Sequence, residues 1–266
     1  MGFKMKKWVC KASLLSSALL LAGCVTSSPT GRHQVLLFDE TEMSQLGVQS
    51  FLEMKQKETI NQDVKVNAYV QCVSEAITKT LDKSTDFDAW EVVVFESPQV
   101  NAFALPGGKI GVYTGLLAVA KNQDQLATVI GHEIAHVQAN HSNERLSTSK
   151  LASYGTQAGE VVLQNTEYKE IGMSALGLGV QYGVIMPYGR AQESESDILG
   201  LHLMNQAGFD ATQSVELWMN MAIAAGGKEP MEFLSTHPSN DTRINHLQKE
   251  LKKLPKTTTP RPNCSL

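Results

Sequence analysis

The sequence predicts an α+β domain, mainly helical, with one small sheet. Three observations predict it. β-type residues are confined to one block, residues 90–113. The flanking stretches carry apolar residues at helical spacing. Capping residues stand where those stretches begin and end. The chain has 266 residues, 42% of them hydrophobic and 19% charged, which suits a folded domain with a sizeable core. Lys plus Arg is 23 and Asp plus Glu is 27, a net of −4, so the basic excess of a nucleic-acid binder is missing.

Residues 1–23 read as a secretory signal. Lys4, Lys6, Lys7 and Lys11 precede an uncharged run, Ala12 to Ala22. That run is too short to span a bilayer, which takes about 20 residues. Leu21-Ala22-Gly23-Cys24 follows and resembles the lipobox of bacterial lipoproteins. The resemblance implies cleavage before Cys24, lipid on that residue, and an anchored mature chain. Val25 rather than Asp follows, which favours the outer membrane in a Gram-negative cell. Cys72 and Cys264 then remain; in an oxidising compartment they can pair or stay free, and spacing does not decide.

Residues 24–38 are polar and read as the lipidated Cys and a tether; residues 39–254 form the domain. Asp39, with Glu40 and Glu42, opens a helix to about Lys57. A second helix spans about Asp63 to Asp82, with Val66, Tyr69, Val70, Val73, Ile77 and Leu81 on one face. Trp90–Phe95 reads as a strand. Asn101–Leu105 and Lys109–Tyr113 read as a hairpin around Pro106-Gly107-Gly108. Asn122 caps a long helix predicted over 123–146. Residues 171–189 are uncharged and Gly-rich, and are read as a buried or membrane-facing helix or flap. A helix from Arg190 stops before Gly208, Asp210 caps another to Ala225, and a last one covers 240–254. The tail 255–266 reads as flexible.

The chemistry lies in His132-Glu133-Ile134-Ala135-His136. Residues i and i+4 stand one turn apart on one helix face, so two imidazoles there can hold one Zn²⁺. Glu133 can reach a zinc-bound water, whose pKa falls towards about 7, and act as its general base. A catalytic zinc needs a third protein ligand. His141 stands nine residues past His132, on the opposite face of a continuous helix, and is read as structural. Glu193 and Asp197 share a face of the later helix. One can bind zinc while the other orients a ligand imidazole; Glu195 points elsewhere. A plain reading is also open: an acidic helix start favoured by the macrodipole. His33, His202 and His246 have no partner pattern.

His-Glu-x-x-His followed by Glu-x-x-x-Asp on a later helix resembles the glutamate-zinc metallopeptidases. Gly131 to Val137 with Arg190 to Asp197 is similar to the HtpX/OMA/CAAX-protease family, in particular its periplasmic lipoprotein members. The resemblance covers about Phe38 to Leu254. It implies a zincin-like (gluzincin) fold with a small antiparallel sheet beside the His-Glu-x-x-His helix. It implies one Zn²⁺ bound by His132, His136 and Glu193, with Glu133 as general base and Asp197 orienting a ligand His. Asn101, Ala102, Phe103 and Ala104 resemble the family's substrate-binding strand. His237-Pro238 with Arg243 resembles its late motif, in which the His stabilises the oxyanion or closes the site as a fourth ligand. The implied activity is endopeptidase cleavage of unfolded or misassembled envelope proteins, from an outer-membrane anchor facing the periplasm. An assembly factor or chaperone with a latent zinc site is the second reading. A purely structural zinc protein is the third, and it leaves Glu133 unexplained.

Overall fold

The computed structural model describes residues 25–81, 90–180, 186–226, 237 and 241–266. Residues 1–24, which include the segment read as a signal and Cys24, lie outside them. The chain opens with a hairpin, β1 (Val25–Ser27) antiparallel to β2 (His33–Val35), closed by Gly31 at φ +86°. These residues were expected to be a tether; instead they are folded against the domain. The polar side chains that suggested solvent find buried partners, described below.

Helix α1 (Glu40–Lys57) starts on a reciprocal capping box. Asp39 accepts from the Glu42 backbone N–H at 2.8 Å, and Glu42 accepts from that of Asp39 at 3.0 Å. Helix α2 (Val64–Thr78) is capped by Asp63 and buries Tyr69, Val70, Val73 and Ile77. The helix ends at Thr78, four residues short of the predicted Asp82, which lies outside the described residues.

Strands β3 (Glu91–Phe95), β4 (Ala102–Leu105) and β5 (Lys109–Tyr113) form one sheet in the order β3-β5-β4. The expected hairpin is present: Ala102 pairs with Val112 and Leu105 with Lys109. Gly107 and Gly108 take φ of +82° and +70° in its turn, a region costly for side chains. The sheet as a whole is mixed, not antiparallel as expected. β3 runs parallel to β5, because the chain from β3 enters the sheet at its far edge and returns through the middle. The short α3 (Thr114–Leu117) follows.

Helix α4 (Gln123–Gln138) lies at the centre of the molecule, and every residue from Asp124 to His136 is buried. Asn122 caps it through hydrogen bonds from Asp124 and Gln125. The expected single helix over 123–146 is broken. Asn140 adopts left-handed φ 54°, which Asn tolerates better than most residues, and α5 (His141–Leu163) leaves in a new direction. Helix α6 (Lys169–Val180) packs back on α5, with Leu176 over Gly159 and Leu163 over Gly172. Ile171, which opens the uncharged stretch, is exposed. No helix among the described residues is long and apolar enough to cross a membrane.

Helix α7 (Met186–Gln206) crosses α4 closely. The crossing is made by Gly131 and Gly200: a Cβ on Gly200 would lie 2.9 Å from the His132 nitrogen. Helices α8 (Gln213–Ala225) and α9 (Asp241–Leu251) complete the fold. The tail is not free. A disulfide joins Cys264 to Cys72 on α2, Arg261 pairs with buried Asp124, and Gln123 bonds the backbone of both Pro262 and Cys264 at 2.8 Å. Its Pro/Thr composition suggested mobility, but these contacts are to residues far away in sequence.

Candidate metal centre

Helix α4 presents His132 and His136 from successive turns, and the Gly131–Gly200 crossing brings Glu193 of α7 opposite them. His237 enters from the segment between α8 and α9. One ligand-type atom from each of these four buried residues lies within 4.8 Å of all the others. His132 Nε2 is 3.1 Å from His136 Nε2 and 3.2 Å from His237 Nδ1. Glu193 lies 2.9 Å from His237 Nδ1, 3.3 Å from His132 Nε2 and 3.4 Å from His136 Nε2. Four ligands at about 2.0–2.1 Å from a tetrahedral ion stand about 3.3 Å apart. The donor set and its spacing therefore fit a divalent cation of zinc's size.

A carboxylate and a guanidinium support His132 from behind. Its Nδ1 lies 3.1 Å from Asp197, and Arg243 donates to both Asp197 oxygens at 2.7 and 2.6 Å. The Arg243 guanidinium lies 3.6 Å from the Trp218 ring centroid and reaches Glu193 at 3.4 Å. Glu133 is buried; its Oε1 accepts no hydrogen bond among the described residues and stands 3.4 Å from His237 Nε2.

Charge and burial compete here. Burial and the Arg243 charge push the His132 imidazole down, yet its hydrogen bonds to the accepting carboxylates of Asp197 and Glu193, with the Glu193 charge, outweigh them and lift it to about 9. Burial drives His136 well below its ordinary value. Burial works to raise Glu193, but hydrogen bonds from the three histidines hold it far below the carboxylate range. The carboxylates that favour a proton on His132 equally favour a cation in its place.

His141 is not among the converging atoms, in keeping with its rejection as a ligand. Nor does it face away. The break at Asn140 turns it back, so that its Nδ1 lies 2.9 Å from His136 Nδ1. Its Nε2 lies 3.1 Å from Glu195, and burial lowers its pKa to about 4. Glu195 and Arg32 are the residues that sequence reasoning missed. Burial would raise Glu195, but the hydroxyls of Ser28 and Thr30, His141 and Arg32 hold it to about 2. Arg32 also grips Glu144 through two bonds of 2.6 and 2.7 Å. The only signal was an arginine among hydroxyl residues in a segment read as tether.

β4 is the edge strand, and its outer edge pairs with no strand among the described residues. Ala102 and Ala104 are buried towards α4 and the core. Phe103 turns to the other face, among Phe51, Phe95 and Tyr113. Asn101 accepts from the Ala102 N–H at 2.9 Å. A cavity of about 520 Å³ opens beside the centre, lined by Met43, Trp90, Pro106, His136, Val137 and Asn140 among others.

The sequence profile of peptidase family M48 matches residues 64–251. The chain is similar to the mitochondrial metalloendopeptidase OMA1 of Schizosaccharomyces pombe, with 37% identity over 164 residues, 61% of this chain and 47% of that protein. Against OMA1 of Saccharomyces cerevisiae the identity is 35% over 71% of this chain and 56% of the relative. The beta-barrel assembly-enhancing protease of Yersinia pestis is 29% identical over 55% of this chain and 31% of its own length. The chain thus spans about half the length, or less, of these curated relatives.

Proposed function

Because the chain belongs to peptidase family M48, we propose that it is a zinc-dependent endopeptidase of the cell envelope, cleaving unfolded or misassembled proteins. One observation carries this reading: His132, His136 and Glu193 converge from two helices with a buried carboxylate, Glu133, beside them. Bound zinc would supply Lewis acidity and bring a water's pKa to about 7. Glu133, buried beside the two helix-borne histidines, would hold a proton drawn from a water at the centre and return it to the leaving amine. Its Oε1, which accepts no hydrogen bond among the described residues, is the oxygen placed for that transfer. The outer edge of β4 pairs with an extended peptide through backbone hydrogen bonds, which selects for unfolded chain more than for particular side chains. Asp197, gripped by Arg243 and 3.1 Å from His132 Nδ1, favours the tautomer that leaves Nε2 free for metal, against the Arg243 Nη2 contact of 3.2 Å to the same Nδ1.

The substrates follow from the relatives named for beta-barrel assembly: outer-membrane proteins that fail to assemble. The anchor follows from the lipobox at Cys24. Since β1 begins at Val25, lipid on Cys24 would hold the folded domain one residue from the bilayer.

The test is cleavage of casein or a denatured outer-membrane protein by the wild type and Glu133→Gln. Loss of general-base help predicts a fall of about 10²–10⁴-fold; equal cleavage by both refutes the mechanism. A second reading, a chaperone or assembly factor with a latent centre, is favoured by His237, whose Nδ1 sits among the ligand atoms and leaves the group closed. Full rescue of a deletion strain by Glu133→Gln selects that reading.

A further inference from the structure

Both helix-borne histidines need their second nitrogen fixed if the first is to face a cation with its lone pair. For His132 the partner is direct: Nδ1 meets Asp197, and Asp197 is gripped by Arg243. For His136 no carboxylate stands at that position among the described residues. Its Nδ1 meets a second imidazole, His141, at 2.9 Å; His141 meets Glu195 at 3.1 Å; Glu195 meets Arg32 at 3.0 Å, with Ser28 and Thr30 donating hydroxyls to the same carboxylate.

We infer that Arg32, Ser28 and Thr30 of the N-terminal hairpin, acting through Glu195 and His141, are positioning residues that set the tautomer of His136 and so the affinity of the centre for its cation. This rests on reading His132, His136 and Glu193 as the ligands. The polarity of the chain has one solution. A carboxylate only accepts, so His141 carries its proton on Nε2. A neutral imidazole protonated there has a bare Nδ1, which accepts from Nδ1–H of His136. That leaves His136 Nε2 bare, and Nε2 is the atom that faces Glu193 and His132. A carboxylate two imidazoles away thus dictates where the lone pair on the ligand sits. Two contacts compete. Ser196 Oγ lies 3.2 Å from His141 Nδ1, and Arg145 Nη2 lies 3.4 Å from His136 Nδ1. The Ser196 hydroxyl can turn its proton away, and the Arg145 side chain is half exposed and at the outer limit of a hydrogen bond.

The outcome is a metal centre assembled from both ends of the chain. Arg243 near the C-terminus supports one histidine, and Arg32 at the start of the folded region supports the other. The hairpin is joined to the centre through Glu195 and His141, so anything that displaces it weakens metal binding without touching a ligand.

The experiment compares Glu195→Gln with Glu144→Gln in the full chain by competition with a zinc chelator and by the cobalt spectrum. Glu144 is an equally buried partner of Arg32, but it does not touch His141, so its loss weakens the hairpin and spares the relay. Glu195→Gln should lower zinc affinity by about 10–100-fold, the usual effect of losing a ligand's supporting partner. Glu144→Gln should lower it clearly less at an equal loss of thermal stability. Equal losses, or none, overturn the inference. If Glu195→Gln does not fold, ¹⁵N-imidazole spectra of the zinc-loaded wild type decide alone: protons on His141 Nε2 and His136 Nδ1 support the relay, and the opposite tautomer on either overturns it. A wild type that binds no zinc overturns both this and the peptidase reading. A wild type that binds zinc with the expected tautomers but hydrolyses nothing overturns the peptidase reading only.

Discussion

The approach of α7 to α4 is what makes three ligands meet, and it depends on an absent methyl group. Gly200→Ala tests this. A Cβ built at Gly200 lies 2.9 Å from the His132 nitrogen, 3.0 Å from its Cα and 3.1 Å from the Gly131 carbonyl carbon. Ordinary contact begins at 3.4 Å, so the backbones must part by at least 0.5 Å, the difference between 3.4 and 2.9. The neighbours are main-chain atoms of a buried helix and cannot swing aside. Overpacking of this kind costs about 1–3 kcal/mol. At about 2–4 °C per kcal/mol for a domain of this size, Tm falls by about 2–12 °C. The displacement also reaches the site. Asp197 and Glu193 lie three and seven residues before Gly200 on the same helix, and functional geometry of this type tolerates about 0.5 Å. Zinc affinity should drop by about tenfold or more, equivalent to about 1.4 kcal/mol per factor of ten. Gly155→Ala is the control, since a Cβ there meets nothing within 4 Å and Ala is the better helix former by about 1 kcal/mol. Thermal unfolding and chelator competition read both effects. If Gly200→Ala is as stable as Gly155→Ala and binds zinc like the wild type, the crossing does not set the centre.

The disulfide closes a separation of 192 residues, for which loop-closure entropy gives an upper bound of about 5 kcal/mol. Reduction, or Cys72→Ala with Cys264→Ala, should lower Tm by up to about 10–20 °C, and the double variant should ignore reductant; an unchanged Tm on reduction refutes the clamp. The hairpin should also respond to acid. Burial would raise the Glu144 carboxyl, but hydrogen bonds from Arg32, Gln192 and Gln34 hold it below its ordinary 4.5. A depressed carboxylate stabilises the fold above its unfolded pKa and ceases to do so as pH falls through the folded one. Amide protection of residues 26–35 in hydrogen exchange should hold from pH 7 to about 5 and weaken only as pH falls below the ordinary carboxylate range; failure at pH 6, or full protection at pH 2, refutes the assignment.

The centre was legible in the sequence where it depends on local periodicity. His132 with His136, and Glu193 with Asp197, are pairs one helical turn apart, and a regular helix guarantees their shared face. The caps at Asp39 and Asn122 were legible for the same reason, since each partner lies within three residues. What could not be read depends on partners far along the chain. Glu195 lies 163 residues from Arg32 and 54 from His141, and nothing local distinguishes it from a solvated acid. The face argument for His141 failed because it assumed a continuous helix, and one left-handed residue at Asn140 was enough to void it. The hairpin and the tail were misread because their composition was taken as a measure of freedom. Polar residues order a segment well when the domain offers buried groups of the opposite kind, as Glu195 and Glu144 do for Arg32, and Asp124 does for Arg261.

The charge count around the centre gives an independent reason to expect a cation. Glu133, Glu193 and Asp197 are buried with one buried guanidinium, Arg243, and three imidazoles. With neutral imidazoles that interior holds two surplus negative charges, and unpaired buried charge is costly. Two remedies exist. Protons can be taken up, and the pull of Asp197 and Glu193 on His132 is the sign of that. A divalent cation can enter instead, and it cancels the surplus while using the lone pairs that the Asp197 and Glu195 arms direct inward. The second remedy also explains the arms themselves. Protonated imidazoles donate from both nitrogens and need no fixed tautomer, whereas a carboxylate–arginine pair behind His132 and another reaching His136 through His141 suit imidazoles that present a lone pair to a metal.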